Sequence, residues 1–348
     1  MLNASRRATP AKTPRRRTVL WLMVVVIITA LVAGGFGLRQ WLFQQWPITP
    51  PGVQRVKIAP GSALPQIAAQ LEQAGVIGDV DRFVRLVRWR EAAQKIKAGE
   101  YEFAQAATPG EVLDRLVAGD VIKIRITIPE GLALKEIATR VAAAGIGTPA
   151  QFLQAAADPA RLIKREIPAT TLEGYLFPET YTVTTTTTPE EVIRAMVVQF
   201  DRQLTPELLA AASARGLDRH ALVTLASIVQ KEAGSKEEMP LIAGVFHNRL
   251  RRGMRLQADP TVIYGVVNFD GNLTRRHLRT PTPYNTYTRA GLPPGPIASP
   301  GLAALRAAAS PAPTQALYFV ARGDGRHEFN VTLEAHNRAV NRYQRKGR

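Results

Sequence analysis

A glutamate stands at the end of an apolar stripe. Residues Leu217–Gly234 read LDRHALVTLASIVQKEAG. At about 100° per residue, Ala221, Leu222, Leu225, Ile228 and Val229 share one helical face, and Glu232 falls in the middle of that face. Gln230 and Lys231 point elsewhere. Burial beside aliphatic side chains and the negative end of a helix both disfavour a carboxylate. Both raise its pKa, as a general acid working near neutrality requires. A second reading stays open at this point: Glu232 pairs with an arginine and only holds the fold.

Other chemistries find little support. The chain has no cysteine, which excludes a disulfide framework, a thiol nucleophile and a cysteine-ligated metal. His220, His247, His277, His327 and His336 lack helical ligand spacing, so no metal site is expected. Ser227 lacks the GxSxG context of a nucleophilic serine. Acid–base work by a carboxyl group remains, and no cofactor is expected. Two loop-rich stretches follow the helix, Arg252–Gly265 and Asn272–Gly301, and loops of such length are usually functional. Within them Gln257, Asp259, Tyr264, Asn285, Thr286 and Tyr287 set hydrogen-bonding groups beside aromatic rings, as carbohydrate sites do.

The elements that must position these residues are legible. Asp218 predicts the N-cap of the helix and Gly234 its stop. PLIAGVFHNRL, Pro240–Leu250, predicts a second helix. Leu317–Ala321 and Glu328–Val331, around the GDG of Arg322–His327, predict a hairpin. A last helix is expected over Leu333–Tyr343. Thr108-Pro109-Gly110-Glu111 and Thr188-Pro189-Glu190-Glu191 each give an N-cap threonine, a proline at the first helical position and a glutamate at the third. Thr148-Pro149 and Thr205-Pro206 use the same start. Upstream of Thr188, Leu172–Val183 (LEGYLFPETYTV) predicts an aromatic extended stretch, its Tyr175, Phe177 and Tyr181 serving either a sugar or the core.

Two blocks carry an internal repeat. Val56–Gly75 (VKIAPGSALPQIAAQLEQAG) and Ile126–Gly145 (ITIPEGLALKEIATRVAAAG) align at an offset of about 70, matching Ile58 with Ile128, Gly61 with Gly131 and Ile67 with Ile137. Each predicts a strand, a glycine turn and a helix. With Gly99–Phe103 as a closing strand, the first copy gives strand–helix–helix–strand order.

The 348 residues carry a net charge of +17. Six basic residues (Arg6, Arg7, Lys12, Arg15, Arg16 and Arg17) precede Thr18–Leu38, an uncharged run long enough to span a bilayer. The positive-inside rule keeps the tail in the cytoplasm and sends the rest outside. A cleaved signal peptide is the alternative, with Ala30 and Ala33 as a possible cleavage signature. Trp21 and Trp41 suit the two interfaces, and Trp46–Gly52 predicts a proline-rich spacer. The charge favours an anionic polymer or membrane surface, and nucleic acid is not an expected partner.

LASIVQKEAG, FHNRLRRGMRLQADPTVIYG, PYNTY and GLPPGPIASPG together resemble the MltG/YceG-like family of endolytic murein transglycosylases. The first strand–helix–helix–strand unit resembles a LysM-like module. The resemblance implies an α+β protein with a single N-terminal transmembrane helix. Its expected parts are a tail (1–17), a membrane helix (18–38), a linker (39–52), a LysM-like module (53–105), a second repeat and connector (106–165) and a mixed α/β catalytic domain (166–348). It implies an inner-membrane protein facing the periplasm, acting on peptidoglycan glycan strands beside peptidoglycan synthases. The family's catalytic glutamate matches Glu232. The glutamate that many members carry two residues earlier is Gln230 here. Gln257, Asp259, Tyr264 and Asn285 match family motif positions, and a role in placing substrate or orienting Glu232 is expected of them. The implied reaction cuts the β-1,4 bond between N-acetylmuramic acid and N-acetylglucosamine within a strand. A hydrolytic muramidase using Asp259 and a non-catalytic wall-binding scaffold are the competing expectations.

Overall fold

The first apolar run forms a single helix, α1 (Arg15–Phe43). Within it Val19–Leu38 has a mean hydropathy of 2.6 and none of it is buried against the protein. By length and composition it can cross a membrane. The computed structural model describes residues 15–43, 47–158, 160 and 167–345. Arg6, Arg7, Lys12 and Trp46 lie outside the described residues, as do the side chains of Arg15, Arg16, Arg17 and Trp41.

The chain divides into two compact units, 1–122 and 123–348. In the first, β1 (Gln54–Ile58) is followed by α2 (Leu64–Gln73), α3 (Val80–Trp89) and β2 (Gly99–Phe103). The two strands pair antiparallel, Val56 opposite Tyr101. The expected strand–helix–helix–strand order is present, and α4 (Pro109–Ala118) completes the unit. Its own core includes Ile58, Ile67, Leu71, Phe83, Tyr101 and Phe103.

The second unit opens on the second repeat: β3 (Lys123–Thr127), α5 (Leu134–Ala143) and α6 (Pro149–Ala156). Its closing strand is β4 (Thr180–Thr184), which pairs antiparallel with β3. The repeat is conformational as well as sequential. Gly61 and Gly131 have φ of +78° and +82°, and Gly75 and Gly145 +67° and +84°, backbone that glycine adopts without a Cβ clash. Ile58 and Ile128, Ile67 and Ile137, and Leu71 and Val141 are buried alike. The compact-unit boundary differs from the expected divisions at 105 and 165, because Ile126, Ile137 and Phe152 join the core of the C-terminal block.

That block contains α7 (Pro189–Gln203), α8 (Pro206–Ser213), α9 (Arg219–Glu232), α10 (Met239–Arg251), α11 (Asp259–Gly265), α12 (Arg275–Arg279) and α13 (Leu302–Ala309). The hairpin β5 (Tyr318–Ala321) and β6 (His327–Asn330) and the helix α14 (Leu333–Val340) end it. Thr108, Thr148, Thr188 and Thr205 all cap as expected, each accepting a backbone N–H of the first turn. The stretch 172–183 is mostly turns ending in β4, with Tyr175 and Phe177 buried in the core. Short helices occupy parts of the two expected loops. Proline at the start of α11 and the Thr274 cap of α12 are their local signals.

Helix α9 lies at the centre. Leu222 through Val229 are all buried, so the single apolar stripe expected from periodicity is too narrow a description. A helix covered on every side is the central element of its layer. The alanine-rich α13 lets backbones approach closely on one side, and α8, α10 and α11 cover others. Gly234 is not a left-handed stop; α9 ends at Ala233 in extended backbone. The glycine is required because any side chain there would collide with the Gly325 carbonyl in the hairpin turn.

Candidate active site

Three side chains of α9 hold the segment 294–301 along the helix. His220 Nε2 donates to the Pro294 carbonyl (2.8 Å), Ser227 Oγ accepts the Ile297 N–H (3.1 Å) and Gln230 Oε1 accepts the Gly301 N–H (3.0 Å). A carbonyl only accepts, so His220 carries its hydrogen on Nε2 and takes the Tyr175 hydroxyl at Nδ1 (2.7 Å). Lys231 donates to the Gly131 carbonyl of the second repeat's turn (3.3 Å), whose N–H in turn meets Ser299 (2.8 Å). The C-terminal end of α9 is therefore tied to two segments, and Glu232 is its last residue.

Glu232 opens on a cleft of about 500 Å³. Arg249 of α10, Gln257, Asp259 and Tyr287 line it from one side. The hairpin residues Tyr318 and His327, with His336 and Asn337 of α14, line it from the other. Burial pushes the Glu232 carboxyl up to about 8, and the negative charge of Asp259 adds to this. The Arg249 guanidinium and the backbone N–H of Asp259 pull the other way. The two sets of forces have distinct uses. The first keeps the acid protonated at neutral pH, and the second receives the charge left once the proton has gone.

The surrounding residues hold this geometry. Tyr287 donates its hydroxyl to Asp259 Oδ1 (2.6 Å). Thr286 Oγ1 accepts the Ala258 N–H (3.0 Å) and meets Thr261 Oγ1 (2.8 Å), clamping the chain on either side of Asp259. Asn285 is fully buried, its amide nitrogen bonded to the carbonyls of His277, Leu278 and Thr280 and its oxygen to the Tyr287 N–H. Gln257 has φ of +50°, left-handed backbone in a non-glycine residue, with its N–H held by the Thr286 carbonyl (3.2 Å). Such strain persists only where neighbours over-determine it, and it gathers at functional sites.

Of the residues selected from sequence, Glu232, Gln257, Asp259 and Tyr287 line one cleft. Asn285 and Thr286 sit behind it with their polar groups consumed internally, out of reach of a ligand there. Tyr264 lies elsewhere, its hydroxyl donating to Glu173 (3.2 Å) and its ring 4.7 Å from that of Tyr284.

Arg249 joins these residues in the cleft. It is buried, with Nε on the Leu317 carbonyl (2.6 Å), Nη1 on the Leu256 carbonyl (2.7 Å) and its guanidinium 5.2 Å from the Tyr318 ring centre. The available signal was a single charge on the apolar helix PLIAGVFHNRL, since a buried arginine needs a dedicated set of acceptors. The hairpin's share of the cleft had no local signal. His327 is fixed by Glu238, Nδ1 to Oε2 at 2.9 Å and N–H to Oε1 at 2.8 Å.

The YceG-like family model matches residues 56–342. The chain is 32% identical over 304 residues to the endolytic murein transglycosylase of Bacillus subtilis (strain 168), covering 83% of this chain and 84% of that one. It is 30% identical over 352 residues to the protein of the same name from Streptococcus pneumoniae (strain D39), covering 91% of this chain and 63% of the pneumococcal protein's length. A crystal structure of a YceG-like protein from Listeria monocytogenes is 33% identical with a TM-score of 0.58, covering 82% of this chain and 98% of that one. The chain belongs to the YceG-like family.

Proposed function

We propose that this protein is an endolytic lytic transglycosylase that cuts the β-1,4 bond between N-acetylmuramic acid and N-acetylglucosamine inside peptidoglycan strands. One observation carries the chemistry: of the two carboxyls that line the cleft of about 500 Å³, Glu232 has its pKa raised to about 8, with Arg249 and the Asp259 N–H placed to take up the charge it leaves. Glu232 donates its proton to the glycosidic oxygen as the C1–O bond breaks. The resulting carboxylate, stabilised by Arg249 and the Asp259 N–H, takes the proton of the C6 hydroxyl of the same muramic sugar. That oxygen attacks C1 and closes a 1,6-anhydro ring, and Glu232 ends the cycle protonated. No water is consumed and no metal or cofactor enters. Gln257, Asp259 and Tyr287 contact the strand or orient Glu232; Asn285 and Thr286 act from behind by fixing the loop, and Tyr264 through Glu173.

The finer reading follows from the sequence and the family names. α1 anchors the chain in the inner membrane, N-terminus inside, with the catalytic domain (166–348) in the periplasm. The 53–105 unit, read as a LysM-like module, holds glycan near the membrane, and 106–165 is the second repeat and connector. Cleavage of newly made strands there ends their elongation beside the synthases.

A second reading has one specific observation in its favour. Asp259 is a second carboxyl in the same cleft, as a hydrolytic muramidase requires. Mass spectrometry of fragments released from purified glycan strands by the full chain separates the two. Internal fragments ending in 1,6-anhydromuramic acid are expected. Reducing ends would assign a hydrolase, and intact strands a non-catalytic binding protein.

A further inference from the structure

A second cavity lies on the face of α10 opposite Arg249. Gly244, His247, Asn248 and Arg251 are spaced three, four and seven apart and so share one side of the helix. With Arg215 and the segment 311–314 they enclose about 470 Å³. The wall of Pro311, Ala312 and Pro313 is stiff and apolar, while the floor is polar and buried. His247 is only 6% exposed and donates Nε2–H to the Ala308 carbonyl (2.7 Å). Asn248, also 6% exposed, gives its amide nitrogen to the carbonyls of Thr314 and Ala316, both at 2.9 Å. Those bonds settle the orientation of its amide, leaving Oδ1 to accept Arg251.

Arg251 is exposed, and its guanidinium is oriented by the Asn248 amide oxygen, which lowers the ordering cost of binding. No residue lining the cavity is acidic, and no carboxylate pairs with Arg215 or Arg251 among the described residues. Burial lowers the His247 pKa, the hydrogen bond to the Ala308 carbonyl opposes this, and the positive charges of Arg215 and Arg251 add to the lowering. Two uncompensated guanidinium groups thus face a concave, partly apolar space with a rigid floor. Guanidinium groups bind planar or tetrahedral oxyanions through paired N–H donors.

We propose that this cavity is an oxyanion site that takes a carboxylate or phosphate group between Arg215 and Arg251, with the apolar part of the ligand against Pro311 and Pro313. The site lies outside the proposed catalytic cleft, and it stands whether or not the proposed reaction is correct. The test is isothermal titration calorimetry on the full chain in nanodiscs of zwitterionic lipid. The probes are inorganic phosphate, N-acetyl-trialanine with a free C-terminal carboxylate, and the same tripeptide as its C-terminal amide. Binding of phosphate or of the free-acid peptide, but not of the amide, is expected, and which of the two binds identifies the ligand class. Arg215→Ala with Arg251→Ala should weaken that binding at least about tenfold, while Arg215→Lys with Arg251→Lys keeps a measurable part of it. If the double alanine variant does not fold, Arg215→Ala alone decides, because Arg215 is exposed and outside α10. Equal binding by wild type and alanine variant, or binding of neither anion, overturns the proposal.

Discussion

Glu232, partly buried, and Glu173, buried, are carboxyls held above the usual carboxylate range, yet their surroundings differ in kind. Burial is the main cause for each, taking Glu232 to about 8 and Glu173 to about 7. Glu173 is enclosed by donors. The Leu134 N–H, at the start of α5, reaches both of its oxygens at 3.0 Å, and the Tyr264 hydroxyl reaches Oε2 at 3.2 Å. Both of its oxygens are engaged by these donors, and it ties the second repeat to α11. Glu232 instead opens on a cleft, beside a like charge on Asp259 and a compensating one on Arg249. A raised pKa therefore does not identify a catalytic acid. The distinguishing property is an acid that has both a route to a ligand and a partner for the charge it leaves behind.

Exchanging each carboxyl for an amide breaks this comparison most sharply. Glu232→Gln is expected to lower kcat by about 10³-fold without lowering the melting temperature, as read by release of anhydro ends and by calorimetry. Asp259→Asn removes the charge that raises Glu232. The alkaline limb of the pH–rate profile should then move down by on the order of one unit, with most activity kept at pH 6; near-complete loss at pH 6 would make Asp259 a reacting group. Arg249→Met should do the reverse, moving that limb upward. It also strands the carbonyls of Leu256 and Leu317, at a cost of about 2 kcal/mol in stability.

Glu173→Gln keeps an acceptor for Leu134, so the expected loss is about 1 kcal/mol with activity nearly unchanged. Its clearer signature is in pH dependence. The folded protein keeps both protons to about 7 and 8, whereas the unfolded chain releases them near 4.5. The native state thus binds more protons across this window, and stability falls as pH rises from 4.5 to 8. Glu173→Gln should roughly halve that fall up to about pH 7, and Glu232→Gln should roughly halve it there and remove it between about 7 and 8, in melting temperatures taken across the window. The smallest effect is at Gln257. Gln257→Gly relieves a left-handed backbone and should raise stability by about 1 kcal/mol, while activity drops through loss of the amide. A loss of both would remove strain from the explanation.

Periodicity and caps made much of this fold legible. The two repeats share glycine turns and buried positions because local sterics and a 3.6-residue period dictate both. The repeats diverge where tertiary contacts take over. Pro129-Glu130-Gly131 meets Lys231, Lys236 and Ser299, and nothing in the turn's own sequence specifies those partners. The same limit applied at the site. Glu232 was visible because it interrupts an apolar stripe, and Asp259 and Tyr287 because they crowd an unusual loop. Asn285 reads as a ligand contact in sequence because an amide in a loop reads alike whether it faces a sugar or three backbone carbonyls. Arg249 and the hairpin wall depend on non-local packing, and so does the burial of α9 on all sides.

The most direct test follows the Glu232 proton itself. Carboxyl ¹³C titration of glutamate-labelled full chain, compared between wild type and Glu232→Gln, should contain one resonance titrating near 8 that is missing from the variant. A Glu232 resonance titrating near 4.5 would contradict the claim that the fold keeps this acid loaded at neutral pH.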